Sequence, residues 1–181
     1  MATATQPFTG VYEIDRPHST VQFAVRHVGV STFRASIGEV DALLAIGDDA
    51  VALEGSVRVE SVSIVDPPEF REHVVGDDFF AAETYPAISF RSTSVALGDD
   101  GTAVVSGHLT MRGLTRSVTV RGTFQPPVED PFGMHRVGLE LGTTVDRRDW
   151  ELDWQMPLPD GGDALGWEVE LTAQLELVRR A

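Results

Sequence analysis

The chain has 181 residues, and 28 acidic residues against 14 arginines give it a net charge of −14 at neutral pH. Such a charge repels phosphate backbones, which argues against nucleic-acid binding. The absence of Cys and Lys excludes disulfides, thiolate nucleophiles and Schiff-base catalysis. No apolar run approaches the roughly 20 residues that span a bilayer, and no secretion signal opens the chain, so we expect a cytoplasmic protein.

Most of the predicted elements are strands, because apolar and polar residues alternate with a period of two. The pattern is clearest over residues 167–177, where bulky apolar side chains alternate with Glu, Thr and Gln. In chain order, the predicted strands cover residues 19–28, 33–46 with a bulge near Gly38, 51–63, 88–95, 103–111, 116–124, 136–145 and 167–177.

Residues 67–83 do not follow the strand pattern. Pro67 and Pro68 open this segment, and Phe70 and Val74 follow at helical spacing, which predicts one or two short helices near residues 68–83. The adjacent Phe79 and Phe80 fit equally a cap on the end of the fold and a gate to a ligand pocket.

Short turns between the strands favour antiparallel hairpins over helical crossovers. A meander of about eight antiparallel strands removes its exposed edges by closing into a barrel. Because each strand has one apolar face, that face is expected to point inward, where a barrel of this size can hold one small ligand. The sequence therefore predicts an all-β fold with an apolar interior.

Catalytic and metal-binding motifs are not found. The nearest approach to a nucleophile elbow, residues 29–33, lacks the final Gly and lies between two strands. The five histidines show no metal-ligand spacing. We therefore expect no catalytic residue and no metal. His27 shares the apolar face of its strand with Phe23 and Val25, which fits either a hydrogen-bonded core histidine or a ligand contact.

Three blocks of sequence resemble the YceI-like family. Residues 14–19 and 21–27 (IDRPHS and VQFAVRH) resemble its opening D-x-x-H-S…F-x-V-R-H signature. Residues 78–81 and 85–93 (DFFA and YPAISFRST) resemble its D-F-F…Y-P-x-I-x-F-x-S-T block. Residues 107–115 (GHLTMRGLT) resemble its G-x-L-T-x-x-G-x-T hairpin. The blocks stand in the family's order, so together they are a specific signal.

The resemblance implies a single lipocalin-like, extended antiparallel barrel over residues 10–181, preceded by a flexible tail over residues 1–9. It also implies storage or transport of a long apolar lipid in the lumen, either a polyisoprenoid or an isoprenoid quinone, with no enzymatic activity. The expected ligand-binding residues lie on inward strand faces or at the mouth: Phe23, Val25, His27, Val57, Val59, His73, Phe79, Phe80, Phe90, Leu109, Val118, Val120, Leu139, Trp154 and Leu171.

Two alternatives stay open. A lipid- or quinone-modifying enzyme needs a histidine beside a second polar group in the lumen, and the sequence offers no such pair. A filled barrel that acts as a stress or interaction module requires bulky side chains that converge on the lumen. For partners, we expect an apolar lipid, no nucleic acid and no stable membrane association. The sequence is also compatible with a homodimer.

Overall fold

Strands make up most of the computed structural model, which describes residues 8–181. Residues 1–7 of the predicted tail lie outside the described residues. Within the described range the strands are β1 (Gly10–Ile14), β2 (Thr20–His27), β3 (Ser31–Ile37), β4 (Val40–Ile46), β5 (Val51–Arg58), β6 (Ala87–Leu97), β7 (Thr102–Met111), β8 (Leu114–Glu129), β9 (His135–Asp146) and β10 (Leu165–Arg179).

The sheet closes on itself. Neighbours pair antiparallel in the order β1-β4-β5-β6-β7-β8-β9-β10, and β10 pairs back onto β1, with Ile14 opposite Leu177. The first part of β10 pairs with β2 instead, so β1 and β2 form two halves of one barrel strand. In the same way, β3 pairs with β2 and β4 pairs with β1. The strands β3 and β4 therefore also form two halves of one barrel strand. The predicted eight-stranded antiparallel barrel is therefore confirmed.

Gly38 lies at the break between β3 and β4, where the sequence predicts a bulge. Here the outer edge of β3 is covered by the segment after β5: Gly38 donates a backbone hydrogen bond to Ser61 at 3.2 Å, and Ser63 donates one to Ser36 at 2.8 Å. The predicted strand over residues 51–63 is too long, because β5 ends at Arg58 and Val59–Ser61 form a 3₁₀ turn.

The single α-helix in residues 8–181 is α1 (Pro68–Val75). It begins at Pro68, where the missing N–H of proline removes no helical hydrogen bond. Its buried Val74 packs with Ala35, Val62 and Ile64, which places the helix over one end of the barrel. Turns follow the helix, so one short helix forms in the predicted region. No helix in the described part of the chain has the length and apolar character to cross a bilayer.

The barrel interior is divided along its length. At one end, which we call the closed end, inward side chains from opposite strands pack against one another. Phe8 also packs there against Phe124, with the ring centroids 5.6 Å apart. The closed end contains buried side chains from β1, β4, β7, β8, β9 and β10: Tyr12, Leu44, Ile46, Ala103, Val105, Phe124, Val137, Leu139 and Leu177. Towards the other end, the inward side chains separate and leave a space.

Candidate ligand-binding site

A cavity of about 900 Å³ occupies the barrel between the closed end and α1. This volume lies at the upper end of the range for small-molecule sites. The lining is almost wholly apolar, because the inward positions of the strands carry Val, Leu, Ile and Phe. The apolar face that the sequence predicts for each strand thus forms the cavity wall.

The structure places most of the predicted contact residues on this wall. Those that line the cavity are Phe23, Val25, His27, Val57, His73, Phe79, Phe80, Phe90, Leu109, Val118, Val120, Trp154 and Leu171. Val59 does not, because it lies in the 3₁₀ turn after β5 and is fully buried there. Leu139 does not either, because it belongs to the closed end.

Several lining residues were missed, although the same alternation predicts their orientation. On β9 the cavity is lined by Leu141, Thr143 and Val145, which follow Leu139 on the same face. On β10, Val169 and Leu175 flank the predicted Leu171 in the same way. The period-two pattern identifies the inward face of each strand, but it does not say how far along that face the cavity extends.

The end of the cavity opposite the closed end, which we call the mouth, is covered by aromatic side chains. Phe80 packs edge-on against Phe23 with centroids 5.9 Å apart. Phe79 and His73 both pack against Trp154, at 5.4 and 4.8 Å. Phe79 and Phe80 are half-buried and face the cavity. The adjacent phenylalanines therefore cover the lumen.

Phe90 owes its position on the wall to a glycine on the neighbouring strand. A Cβ atom at Gly107 would lie 2.5 Å from the Phe90 ring and 2.4 Å from the carbonyl oxygen of Arg91. Glycine at this position therefore leaves the space beside β7 that the Phe90 ring occupies.

Arg147 is a buried charged residue in the wall, with only 3% of its surface exposed. Its Nε donates to the Gly166 carbonyl at 2.8 Å, and Nη1 donates to the carbonyls of Leu152 and, at 2.9 Å, Trp154. The guanidinium also lies over the ring of Trp167, with the ring centroid 4.2 Å from Cζ of Arg147. Within residues 8–181 no carboxylate lies within ion-pair distance of it, and burial lowers the pKa of its guanidinium.

These bonds connect residues 152–154 to the start of β10 and so hold the loop over residues 152–164, which forms one side of the mouth. The loop carries Trp154, Met156 and Leu158 into the cavity lining. Its carbonyls would otherwise have to be satisfied by water at the edge of an apolar space. This role was not predicted from the sequence, because Arg147 stands among charged neighbours that resemble a solvated turn.

The histidines differ in their surroundings. His27 touches the cavity at the rim but is exposed, so its interpretation as a core histidine is wrong. The reason is that β2 ends at His27, where the barrel opens to solvent. His73 lines the mouth with its Nδ1 3.4 Å from Oδ2 of Asp78. The structure thus contains a histidine–carboxylate pair at the mouth that the sequence did not predict, although Asp78 is exposed to solvent and does not line the cavity.

A second polar cluster lies on the outside of the closed end, away from the cavity. Arg136 contacts Asp15 at 2.5 Å, Asp130 at 2.7 Å and Glu176 at 2.7 Å. Its hydrogen bonds lower the pKa values of Asp15 and Asp130. Asp15 and Glu176 also group with His18 closely enough to hold a cation. However, Arg136 already supplies the positive charge that both carboxylates face.

The barrel and its apolar cavity define a protein of the lipocalin-like class. The chain belongs to the YceI-like domain family, whose sequence pattern matches residues 12–177. The resemblance seen in the three motif blocks is therefore confirmed. Among relatives, a UPF0312 protein of Pseudomonas putida is 32% identical over 155 residues, which cover 83% of this chain and 80% of that protein.

Solved structures show the same fold at low sequence identity. Burkholderia cenocepacia BcnA matches with a TM-score of 0.74 and 19% identity, over 90% of this chain and 98% of that one. A polyisoprenoid binding domain from Saccharophagus degradans, implicated in plant cell wall breakdown, matches with a TM-score of 0.69 and 13% identity, over 93% and 98% of the two chains.

Proposed function

We propose that the protein binds a long apolar lipid of the polyisoprenoid class in its cavity, and stores or carries it without altering it chemically. The observation that carries this proposal is the large apolar cavity inside a closed barrel. Each CH₂ group removed from water contributes about 0.8 kcal/mol, so an extended hydrocarbon chain needs few polar contacts to bind tightly.

The size of the cavity sets the scale of the ligand. At roughly 30 Å³ per water-sized group, 900 Å³ accommodates on the order of 30 non-hydrogen atoms, or about six prenyl units. The fold shared with the Saccharophagus degradans polyisoprenoid binding domain supports this class of ligand.

The distribution of polar side chains supports one orientation of the ligand. Thr32, His73 and Arg147 reach the lining at the mouth, whereas the inward side chains next to the closed end are Ala, Leu and Val. Thr143 lies between these regions, and Asp41, Glu54 and Ser56 border the lining beside Ala42 and Gly55. A polar head group therefore finds most of its hydrogen-bonding partners near the mouth. We infer that the lipid enters tail first and leaves its head group there.

A matched pair of variants on β8 tests the proposal. Val118 lines the cavity, and its neighbour Ser117 is exposed on the outer face. Val118→Asp is expected to weaken binding of a fluorescent prenyl probe by at least about tenfold, because it places a carboxylate against the chain. Ser117→Asp adds the same charge outside and should bind as the parent does. Equal affinities in the two folded variants would contradict binding in the lumen.

The His73–Asp78 pair is the one observation that favours the alternative of a lipid-modifying enzyme. A histidine oriented by a carboxylate is a common general base. After prolonged incubation with the protein, the prenyl probe should be recovered with unchanged mass. A modified product that forms with the parent and not with His73→Gln would establish catalysis instead.

A further inference from the structure

The bottom of the cavity, which we call the floor, is a sharp boundary that crosses several strands. On β4, Ala42 lines the cavity, whereas Leu44 packs in the closed end with no exposed surface. On β9, Leu141 and Leu139 both belong to the packed core, but only Leu141 also lines the cavity. The last lining residues on their strands thus form the floor: Ala42, Leu53, Val120, Leu141 and Leu175.

Ala42 makes the floor uneven, because its side chain is the smallest of the five. Its register partner on β5 is Gly55, which also lines the cavity and has no side chain. The cavity therefore extends to the backbone of β4 and β5 at this point. The packed side chains of Leu44 and Tyr12 lie beyond it, and both are fully buried. A chain that enters tail first therefore meets packed side chains along the barrel. A more open and more polar cavity of about 780 Å³, which includes Glu13 and Arg16, also touches Ala42 and Gly55, but from the outer face of the sheet.

We propose that Ala42 is a specificity-determining residue that sets the longest prenyl chain the cavity accepts. This inference rests on the proposed function. With its head group at the mouth, the ligand can gain contacts from each added prenyl unit until the tail reaches Ala42 and Gly55. Further units have to remain outside or fold back, because a packed core yields little to an inserted group.

The test measures the affinity of prenyl alcohols of increasing length by displacement of a fluorescent probe. For the parent, affinity should rise with length up to a cut-off and then level off or fall. Ala42→Phe fills the floor with a ring comparable in size to a prenyl unit, so the cut-off should move down by about one unit. The longest alcohol that the parent binds tightly should bind at least about tenfold more weakly, and short alcohols within about twofold.

Two further variants keep the test decisive. Ala52→Phe places the same ring on the exposed outer face of β5 and should leave the cut-off unchanged. Leu141→Ala enlarges the floor from the opposite wall and should shift the cut-off to longer chains, which tests the inference even if Ala42→Phe does not fold. An unchanged length profile in a folded Ala42→Phe, or in Leu141→Ala, would overturn it. If the parent binds no prenyl alcohol of any length, the proposed function itself fails.

Discussion

Arg147 occupies a position where a charged side chain is normally destabilising, because it lies in the wall of an apolar cavity without a carboxylate partner in the described part of the chain. Neutral backbone carbonyls accept its hydrogen bonds, and Trp167 covers one face of the guanidinium. The carboxylates of Asp146, Asp153 and Asp163 attract its charge without forming an ion pair with it. Its hydrogen bonds hold the irregular loop over residues 152–164 in place as one side of the mouth.

Replacement of Arg147 by Met should therefore destabilise the protein by about 2–4 kcal/mol, because several buried carbonyls lose their donor. Chemical denaturation followed by circular dichroism measures this change. Arg148→Met is the matched control, because Arg148 is the next residue and its side chain is exposed. This variant should lower the free energy of unfolding much less. Similar stability of the two variants would show that the carbonyl contacts of Arg147 do not hold the loop.

Arg136 joins three chain segments outside the barrel, and its effect depends on pH. Its hydrogen bonds lower the pKa values of Asp15 and Asp130 in the folded state. A lowered folded pKa contributes stability above the ordinary carboxyl pKa of about 3.9, and this stability is lost as the pH falls through the folded value.

Arg136→Gln is accordingly expected to melt several degrees below the parent at pH 7. The difference should shrink as the pH falls below about 4, because protonated carboxyls no longer need the guanidinium. Thermal melts of both proteins across this range provide the measurement. A difference that stays constant down to pH 2 would mean that Arg136 acts through packing alone.

At the scale of elements, α1 and the turns that follow it form the cover of the cavity. The helix is anchored through Val74, while Phe79 and Phe80 reach over the mouth. Their ring contacts run to Trp154 on one side and to Phe23 on the other. The cover thus touches both the loop over residues 152–164 and the barrel wall, and a ligand has to pass between these rings.

Phe79→Ala should open this passage and raise the dissociation rate of a bound prenyl probe several-fold. The equilibrium affinity should change less, because the removed ring affects entry and exit alike. Stopped-flow mixing of the loaded protein with excess unlabelled prenyl alcohol measures the rate. An unchanged dissociation rate in the variant would locate the entry path elsewhere.

The sequence predicted the elements better than it predicted the site. Alternation identified the inward faces, so Val118 and Leu171 were placed correctly on the cavity wall. It could not distinguish Leu139 from Leu141, since both lie on the same face and pack in the core, and only the stagger of the closed barrel decides which one also borders the cavity. Arg147 was missed because its partners are backbone carbonyls, which carry no sequence signature.

For the molecule as a whole, surface charge and exposed apolar residues act in opposite directions on any contact with a membrane. Val30, Phe70 and Met156 expose apolar surface near the mouth. The net charge of −14 repels anionic lipid surfaces. Exposed apolar residues at the mouth favour brief contact, whereas the charge opposes lasting attachment.

Uptake of a labelled prenyl lipid should consequently be slower from vesicles that contain anionic lipid than from zwitterionic vesicles. Added salt should reduce the difference, since it shortens the range of the repulsion to about 8 Å at physiological ionic strength. Transfer rates measured at low and high salt test this expectation. Faster uptake from anionic vesicles would point to a local basic surface that dominates the overall charge.

The most direct test of the account is native mass spectrometry of the gently purified protein, followed by organic extraction of the same sample. We predict a bound species heavier than the 19.7 kDa chain by the mass of one apolar lipid, together with an extract that contains a polyisoprenoid or isoprenoid quinone. A protein that carries no lipid, and that also fails to bind any added prenyl alcohol, would contradict the claim that the cavity is a lipid site.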